Sequence, residues 1–252
     1  MTWLGHSTVV IDVAGRRLIT DPLLRRHSGV LRRRARSPEW HHWQDVDAVL
    51  LSHLHHDHAE LRSLRMLGDA PVVTGPANAA WLRRRGLPGE APEGWRDLGV
   101  GIRVRLVTAV HGARPMAHRP NDANGHLLRV GDTAIWVAGD TELYDGMADL
   151  PRSAGADRLD LAVVPIGGWG PRLSPGHMGP AEAAEACAMT RARWALPVHW
   201  GTHHAPFTAR FGDWMDRPAA HFEEALARTS PGTRMVRAVP GGPAVSVGVA
   251  ER

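Results

Sequence analysis

Leu50-Leu51-Ser52-His53-Leu54-His55-His56-Asp57-His58 is the stretch on which the reading of this 252-residue chain turns. A short apolar run of strand character passes into a burst of imidazoles with one carboxylate, and then into a helical pattern. Neutral imidazole and carboxylate suit zinc and related divalent ions. A loop leaving a strand can turn His53 and His55 to one side while Asp57 and His58, at the start of the next helix, point to another. Ligands crowded this closely do not close comfortably on one tetrahedral ion, so the spacing predicts two ions. His56, packed between the others in sequence, is left out of the set.

Further ligands are expected wherever other strands end in suitable residues. The predicted strand Ile102 to Val110 ends at His111, Thr133 to Ala138 at Gly139-Asp140-Thr141, and Trp194 to Val198 at His199. In open α/β architectures functional groups gather beyond the carboxyl ends of strands, where loops converge on one rim. Four separate strands thus deliver candidates to one edge.

The rest of the chain alternates in the same way. Thr8 to Val13 and Arg16 to Thr20 flank Ala14-Gly15 and predict a hairpin. Other strands are expected at Ala48 to Ser52, Val72 to Thr74, His126 to Val130, Leu161 to Ile166 and Ala244 to Val249. Helices are expected at Ala59 to Leu67, Ala77 to Arg85, Pro180 to Thr190 and Ala219 to Thr229. Pro180 suits a first helical turn, where its missing N–H would be unpaired anyway. No composition break or repeat interrupts the alternation, so residues 1–252 read as one α/β domain.

Composition narrows the classes. Hydrophobic residues make up 43% and charged residues 22%, which excludes disorder and collagen-like architecture. All 30 cationic side chains are arginine, so the charge of +4 and the pI near 10.6 reflect groups that do not titrate near neutrality. This is weak grounds for a nucleic-acid partner, and no stable one is expected. Cys187 is the single cysteine, which rules out an intrachain disulfide and a cysteine-based zinc site. The N-terminus lacks a secretory pattern and no apolar run is long enough to span a bilayer, so a cytoplasmic location is expected.

Taken together, His53-Leu54-His55-His56-Asp57-His58, His111, Gly139-Asp140-Thr141 and His199 resemble the His-X-His-X-Asp-His signature and later ligands of the metallo-β-lactamase-fold hydrolases. The resemblance implies a four-layer αββα sandwich and a two-metal site. It implies that His53, His55 and His111 bind the first metal, that Asp57, His58 and His199 bind the second, and that Asp140 bridges them. Shorter motifs are similar to bacterial relatives of N-acylphosphatidylethanolamine phospholipase D and of the ascorbate-6-phosphate lactonase group: Trp3-Leu4-Gly5-His6-Ser7-Thr8, Thr20-Asp21-Pro22, Val164-Pro165-Ile166-Gly167 and His199-Trp200-Gly201-Thr202.

Such a site lowers the pKa of a bridging water toward 7 and polarises a carbonyl or phosphoryl oxygen. The expected function is hydrolysis of a phosphodiester, phospholipid-like or nucleotide-like, by a metal-bridged hydroxide that Asp57 orients. The alternatives are a lactonase or carboxylic ester hydrolase, and a non-catalytic metal-binding protein. An export-dependent β-lactamase and a tRNA nuclease with a gripping arm fit less well. Zn(II) is the expected metal, with Mn(II) or Fe(II) as alternatives.

The Gly- and Pro-rich loop from Gly167 to Met178 follows a strand end and so approaches the same rim. There Trp169 is a candidate for packing on substrate, Arg172 for meeting an anionic group, and His177 for donating to an oxyanion or leaving group, with a bracing role as its alternative. Arg114, after His111, is a second candidate cation. His6 and Asp21 are expected to brace the site, because metal-bound imidazoles need a partner on their other nitrogen. His203 and His204 either line the cleft or sit in a solvated loop, and Trp200 is a candidate substrate contact. The arginine run Arg25, Arg26, Arg32, Arg33, Arg34 and Arg36 reads as a solvated face or as a docking surface for anionic groups.

Overall fold

Parity along the strands sets the layers. In Thr8–Val13, Val9 and Ile11 point to one side and Val10 to the other. In Thr133–Val137, Ile135 and Val137 point one way and Ala134 and Trp136 the other. Successive side chains of a strand alternate between faces, so a strand apolar at every position must be covered twice. The computed structural model, which describes residues 1–112 and 118–248, shows that covering. Arg114 and Val249 lie outside the described residues.

The first sheet runs in chain order: Thr2–Gly5, Thr8–Val13, Arg16–Thr20, Ala48–Leu50, Val72–Val73 and Gly89–Glu90. Its first two pairings are antiparallel and the rest parallel. The second sheet is ordered Arg234–Met235, Trp194–Val198, Leu161–Pro165, Thr133–Val137, Asn124–Val130, Ile102–Thr108 and Arg96–Gly99. It is parallel as far as Thr133–Val137 and antiparallel beyond.

Three apolar cores follow. Val9, Ile11, Leu18 and Leu50 of the first sheet meet Val104, Leu128, Val163 and Leu196 of the second. On the outer face of the first sheet, Val10, Ile19 and Val49 pack with Leu64, Trp81 and Leu82 of the helices Leu61–Met66 and Pro76–Arg83. On the outer face of the second, Trp136, Ala162 and Val164 pack with Ala183, Ala186, Phe222 and Leu226 of the helices Pro180–Met189 and Pro218–Thr229. Cys187 is buried in this last core. The arrangement is the αββα sandwich.

Several elements differ from the sequence expectation. Residues 244–248 form no strand; Val245 and the amine of Met1 exchange hydrogen bonds with each other's backbone groups. The first helix starts at Leu61 rather than Ala59, because the Glu60 side chain accepts from the N–H groups of Arg62 and Ser63. Asp57 and His58 therefore lie in the turn before the helix. Arg25 to Arg36 is neither a helix nor a uniformly solvated loop. It contains a hairpin, His27–Ser28 with Leu31–Arg33, whose second strand pairs with His203–His204. Five of its six arginines are exposed, but Arg33 is buried. Trp200 stacks on Trp3 at 5.5 Å and packs against the apolar cores. Among the described residues no helix is long and apolar enough to cross a membrane.

Candidate metal centre

The two sheets each deliver half of a cluster at one rim. From the first sheet come His6, Asp21 and the segment His53 to His58; from the second come His111, Asp140, His177 and His199. Gly139 lets the rims close. Its φ of +65 suits glycine, and a Cβ there would fall 2.5 Å from the Cβ of Ser52. His6, Asp21 and His199 also have positive φ, at 52, 32 and 62. For such residues this backbone costs about 1–3 kcal/mol each and persists only where neighbours impose it. His199 N–H donates to the His6 carbonyl at 2.9 Å, His6 N–H to Thr202 Oγ1 at 3.1 Å, and Asp21 N–H to the Leu50 carbonyl at 3.1 Å.

The imidazoles are anchored through Nδ1. His53 Nδ1 lies 2.9 Å from Ser52 Oγ, His58 Nδ1 2.8 Å from Asp21 Oδ2, His111 Nδ1 2.7 Å from the Gly176 carbonyl, and His199 Nδ1 2.8 Å from the Gly167 carbonyl. Anchoring one nitrogen fixes the ring and leaves the other as a lone-pair donor. The Nε2 atoms of His53, His58 and His199 are buried without a hydrogen-bond partner, as are both Asp140 carboxylate oxygens. Buried polar atoms are rarely left so. Asp140 Oδ2 is 3.0 Å from His58 Nε2, 3.3 Å from His199 Nε2 and 3.9 Å from His53 Nε2. His55 Nδ1 and His111 Nε2 are 3.0 Å apart.

Two quartets result, each with ligand atoms within 4.8 Å of one another: His53, His55, His111 and Asp140; and His6, Asp57, His58 and His199. A third group joins Asp140, His177 and His199. The nitrogen and oxygen donor set fits divalent zinc, iron or manganese. His6 sits within the cluster itself. Its Nε2 is 3.0 Å from Asp57 Oδ2, and its ring lies 4.0 Å from that of His199. His56 is half-buried, and its carbonyl accepts from Ser28 Oγ.

Electrostatics follow the geometry. Burial drives the His53 imidazole well below its ordinary pKa, with His58 adding to the effect. Burial would raise the Asp140 carboxyl, but His199 and then His58 hold it well below the usual range. Burial disfavours the His177 cation, yet the Asp140 carboxylate, 3.2 Å away, carries its pKa up to about 9.

Beside the cluster lies a cavity of about 450 Å³ bounded by His55, Asp57, His111 and His177 and also by Trp169. Arg172 is exposed and is not among the residues that line it. His203 is fully buried, with its ring 5.2 Å from that of His6, whereas His204 is half-buried. Sequence reasoning missed Gly176, Gly167 and Glu142. The first two act through backbone carbonyls, and Glu142 Oε1 accepts from the Gly176 N–H at 2.6 Å. Only the Gly-rich composition of the loop hinted at this.

A two-sheet sandwich with His and Asp donors converging on one rim is a metallo-β-lactamase-fold protein. Residues 16–200 match the family described as beta-lactamase superfamily domain, and the chain belongs to that superfamily. It is 27% identical over 230 residues to the N-acyl-phosphatidylethanolamine-hydrolyzing phospholipase D 1 of Caenorhabditis elegans, covering 80% of this chain and 64% of that protein. The chain thus spans less than two thirds of the nematode enzyme. It is 30% identical to a metal-dependent hydrolase of Symbiobacterium thermophilum, covering 79% of this chain and 83% of that one. Two solved structures share the fold. Igni18, a metallo hydrolase of Ignicoccus hospitalis, has a TM-score of 0.73 at 20% identity, covering 99% of this chain and 98% of that one. An isothiocyanate hydrolase from Delia radicum gut bacteria has 0.71 at 18%, covering 98% and 99%. With its relatives, the chain is a metal-dependent hydrolase.

Proposed function

We propose that the chain is a two-metal phosphodiester hydrolase. In this reading His53, His55 and His111 would hold one ion, Asp57, His58 and His199 would hold the other, and Asp140 would be shared by both. The observation that carries it is the pair of quartets, in which the buried Nε2 atoms of His53, His58 and His199 and both Asp140 carboxylate oxygens have no hydrogen-bond partner. Two divalent ions, if bound there, would supply a nucleophilic hydroxide at neutral pH and a Lewis acid for the substrate oxygen. Zn(II) suits the donors best. The resemblance to the nematode phospholipase supports a phosphodiester.

The protein groups have separable tasks. Asp57 orients the attacking water, and His6, bonded to its Oδ2, fixes that carboxylate. His177 faces the cavity with its Nε2 beside Asp140 and is placed to donate a proton to the departing oxygen. Ser52, Asp21, Gly176 and Gly167 hold the ligand rings in register.

A carboxylic ester or lactone is the second reading, favoured by the cavity itself. Among the described residues none of its lining side chains is an arginine, although the chain has 30 cationic residues. The test is metal content by inductively coupled plasma mass spectrometry, paired with hydrolysis of bis(p-nitrophenyl) phosphate and of a lactone before and after chelation. Two metals with chelator-sensitive phosphodiester turnover is the expected result. Lactone turnover alone transfers the reading to ester chemistry. Two bound metals without turnover of either makes the protein a metal binder.

A further inference from the structure

We infer that the hairpin His27–Ser28 and Leu31–Arg33, together with Trp169, is a specificity element that seats a neutral alkyl or aryl group of the substrate beside the histidine cluster. The inference rests on the reading that the substrate's reacting group sits at that cluster. Residues 28–31 line the same cavity as His55, His111 and His177, and Trp169 and Pro175 line it as well. Apolar side chains therefore adjoin the candidate ligands. A cavity of this kind takes its affinity from apolar burial and its orientation from a few polar groups.

The arginine content of the hairpin makes this reading specific. Alternation along Leu31–Arg33 buries Leu31 and Arg33 and exposes Arg32. Arg33 turns inward, where its guanidinium donates to the Leu4 carbonyl at 2.7 Å and also to the Leu23 carbonyl. Burial lowers its pKa to about 10, so it remains a cation at neutral pH. Arg34 pairs with Asp216 at 2.6 Å, and Arg25 lies 3.5 Å from Glu60. None of the hairpin's arginines lines the cavity. Val30, at the tip, is 74% exposed, and Trp169 is 40% exposed. The segment that looks most suited to an anion in sequence thus offers the cleft a valine and a leucine.

The wall is also fixed in place. Ser28 Oγ donates to the His56 carbonyl, within the ligand loop. Leu31–Arg33 pairs with His203–His204, and Arg34 N–H donates to the Thr202 carbonyl at 2.7 Å. The hairpin is therefore tied both to the loop carrying His53 to His58 and to the segment after His199. A prebuilt wall selects by shape and polarity without an ordering cost on binding.

The test is calorimetric binding of methyl-, butyl- and hexylphosphonate to the metal-reconstituted protein, which needs no turnover. Affinity is expected to rise about three- to fourfold per methylene while the chain covers the wall. Val30→Asp and Trp169→Ala are each expected to lower hexylphosphonate affinity by at least about tenfold and leave methylphosphonate within about twofold. Val30 is mostly exposed, so its replacement does not threaten the fold. Equal affinity across the series, a slope unchanged in both variants, no binding at all, or tighter binding of a nucleoside monophosphate would each overturn the inference. A steep slope without hydrolysis of any substrate would remove the catalytic reading and leave the specificity element standing. Turnover without a slope would do the reverse.

Discussion

Asp21→Asn isolates the bracing of the ligand rings, because it changes the hydrogen-bonding character of the side chain and almost none of its shape. Asp21 Oδ1 accepts from the Ser52 N–H at 2.7 Å, while Oδ2 accepts from Ser52 Oγ at 2.7 Å and faces His58 Nδ1 at 2.8 Å. An asparagine has one acceptor oxygen where the carboxylate has two. If the amide nitrogen faces Ser52, two N–H groups oppose each other in a buried site. If it faces His58, that ring must shift its proton to Nε2, and the lone pair that would bind metal is lost. Either way one charge-assisted hydrogen bond disappears, worth about 1.5–3 kcal/mol. In the second arrangement the loss falls on metal affinity, where bracing residues typically contribute about 10- to 100-fold. The expected result is weaker metal retention in competition against a fluorescent chelator, with a smaller change in the urea midpoint of the metal-free protein. A variant with unchanged metal affinity and unchanged midpoint would refute the reasoning.

Three other outcomes are expected. Asp140→Asn should strip both metals and reduce turnover by at least about 100-fold, whereas His56→Ala should keep the metal content intact; equal losses in the two variants would contradict the ligand assignment. Gly176→Ala should displace His111, because its backbone has φ of +85 and a Cβ would sit 2.6 Å from His111 Nδ1; retention of full metal affinity would show that this contact is dispensable. The metal-free protein should lose stability on acidification. Burial, then the His199 ring, lowers His6 to about 3, and burial also lowers His126 and His203. Their unfolded counterparts protonate near 6.5. The stability contributed by these neutral rings is present above about pH 6.5 and is lost as pH falls toward 3. His177 runs the other way, its contribution being lost as pH rises through about 9. Urea midpoints in chelator should therefore peak near neutrality, and a midpoint that rises steadily below pH 6 would contradict this account.

The histidine-rich loop and the strand-end residues that meet it in the clusters are legible in the sequence because local spacing encodes them. Strand parity is similarly local, and it is what separates Val9 and Ile11 on one face from Val10 on the other. What is missed depends on backbone groups or distant partners. The carbonyls of Gly167 and Gly176 have no side-chain signature. Arg33 reads as one more surface charge because its acceptors, the Leu4 and Leu23 carbonyls, are defined only by the fold. The hairpin strands are two and three residues long and gain their register from His203–His204, far along the chain. The helix boundary at Leu61 is misplaced because glutamate is not a favoured capping residue.

Each quartet draws on both sheets: His53 and His55 from the first with His111 and Asp140 from the second, and His6, Asp57 and His58 from the first with His199 from the second. Neither sheet alone presents a complete ligand set. Bound metals would therefore act as cross-links between the two halves of the sandwich, and because ligands separated along most of the chain must first meet, the centre would mature last during folding. An unfolding intermediate with the sheets parted would release its metals at once, so the rate of metal loss to excess chelator would report the opening of the sandwich.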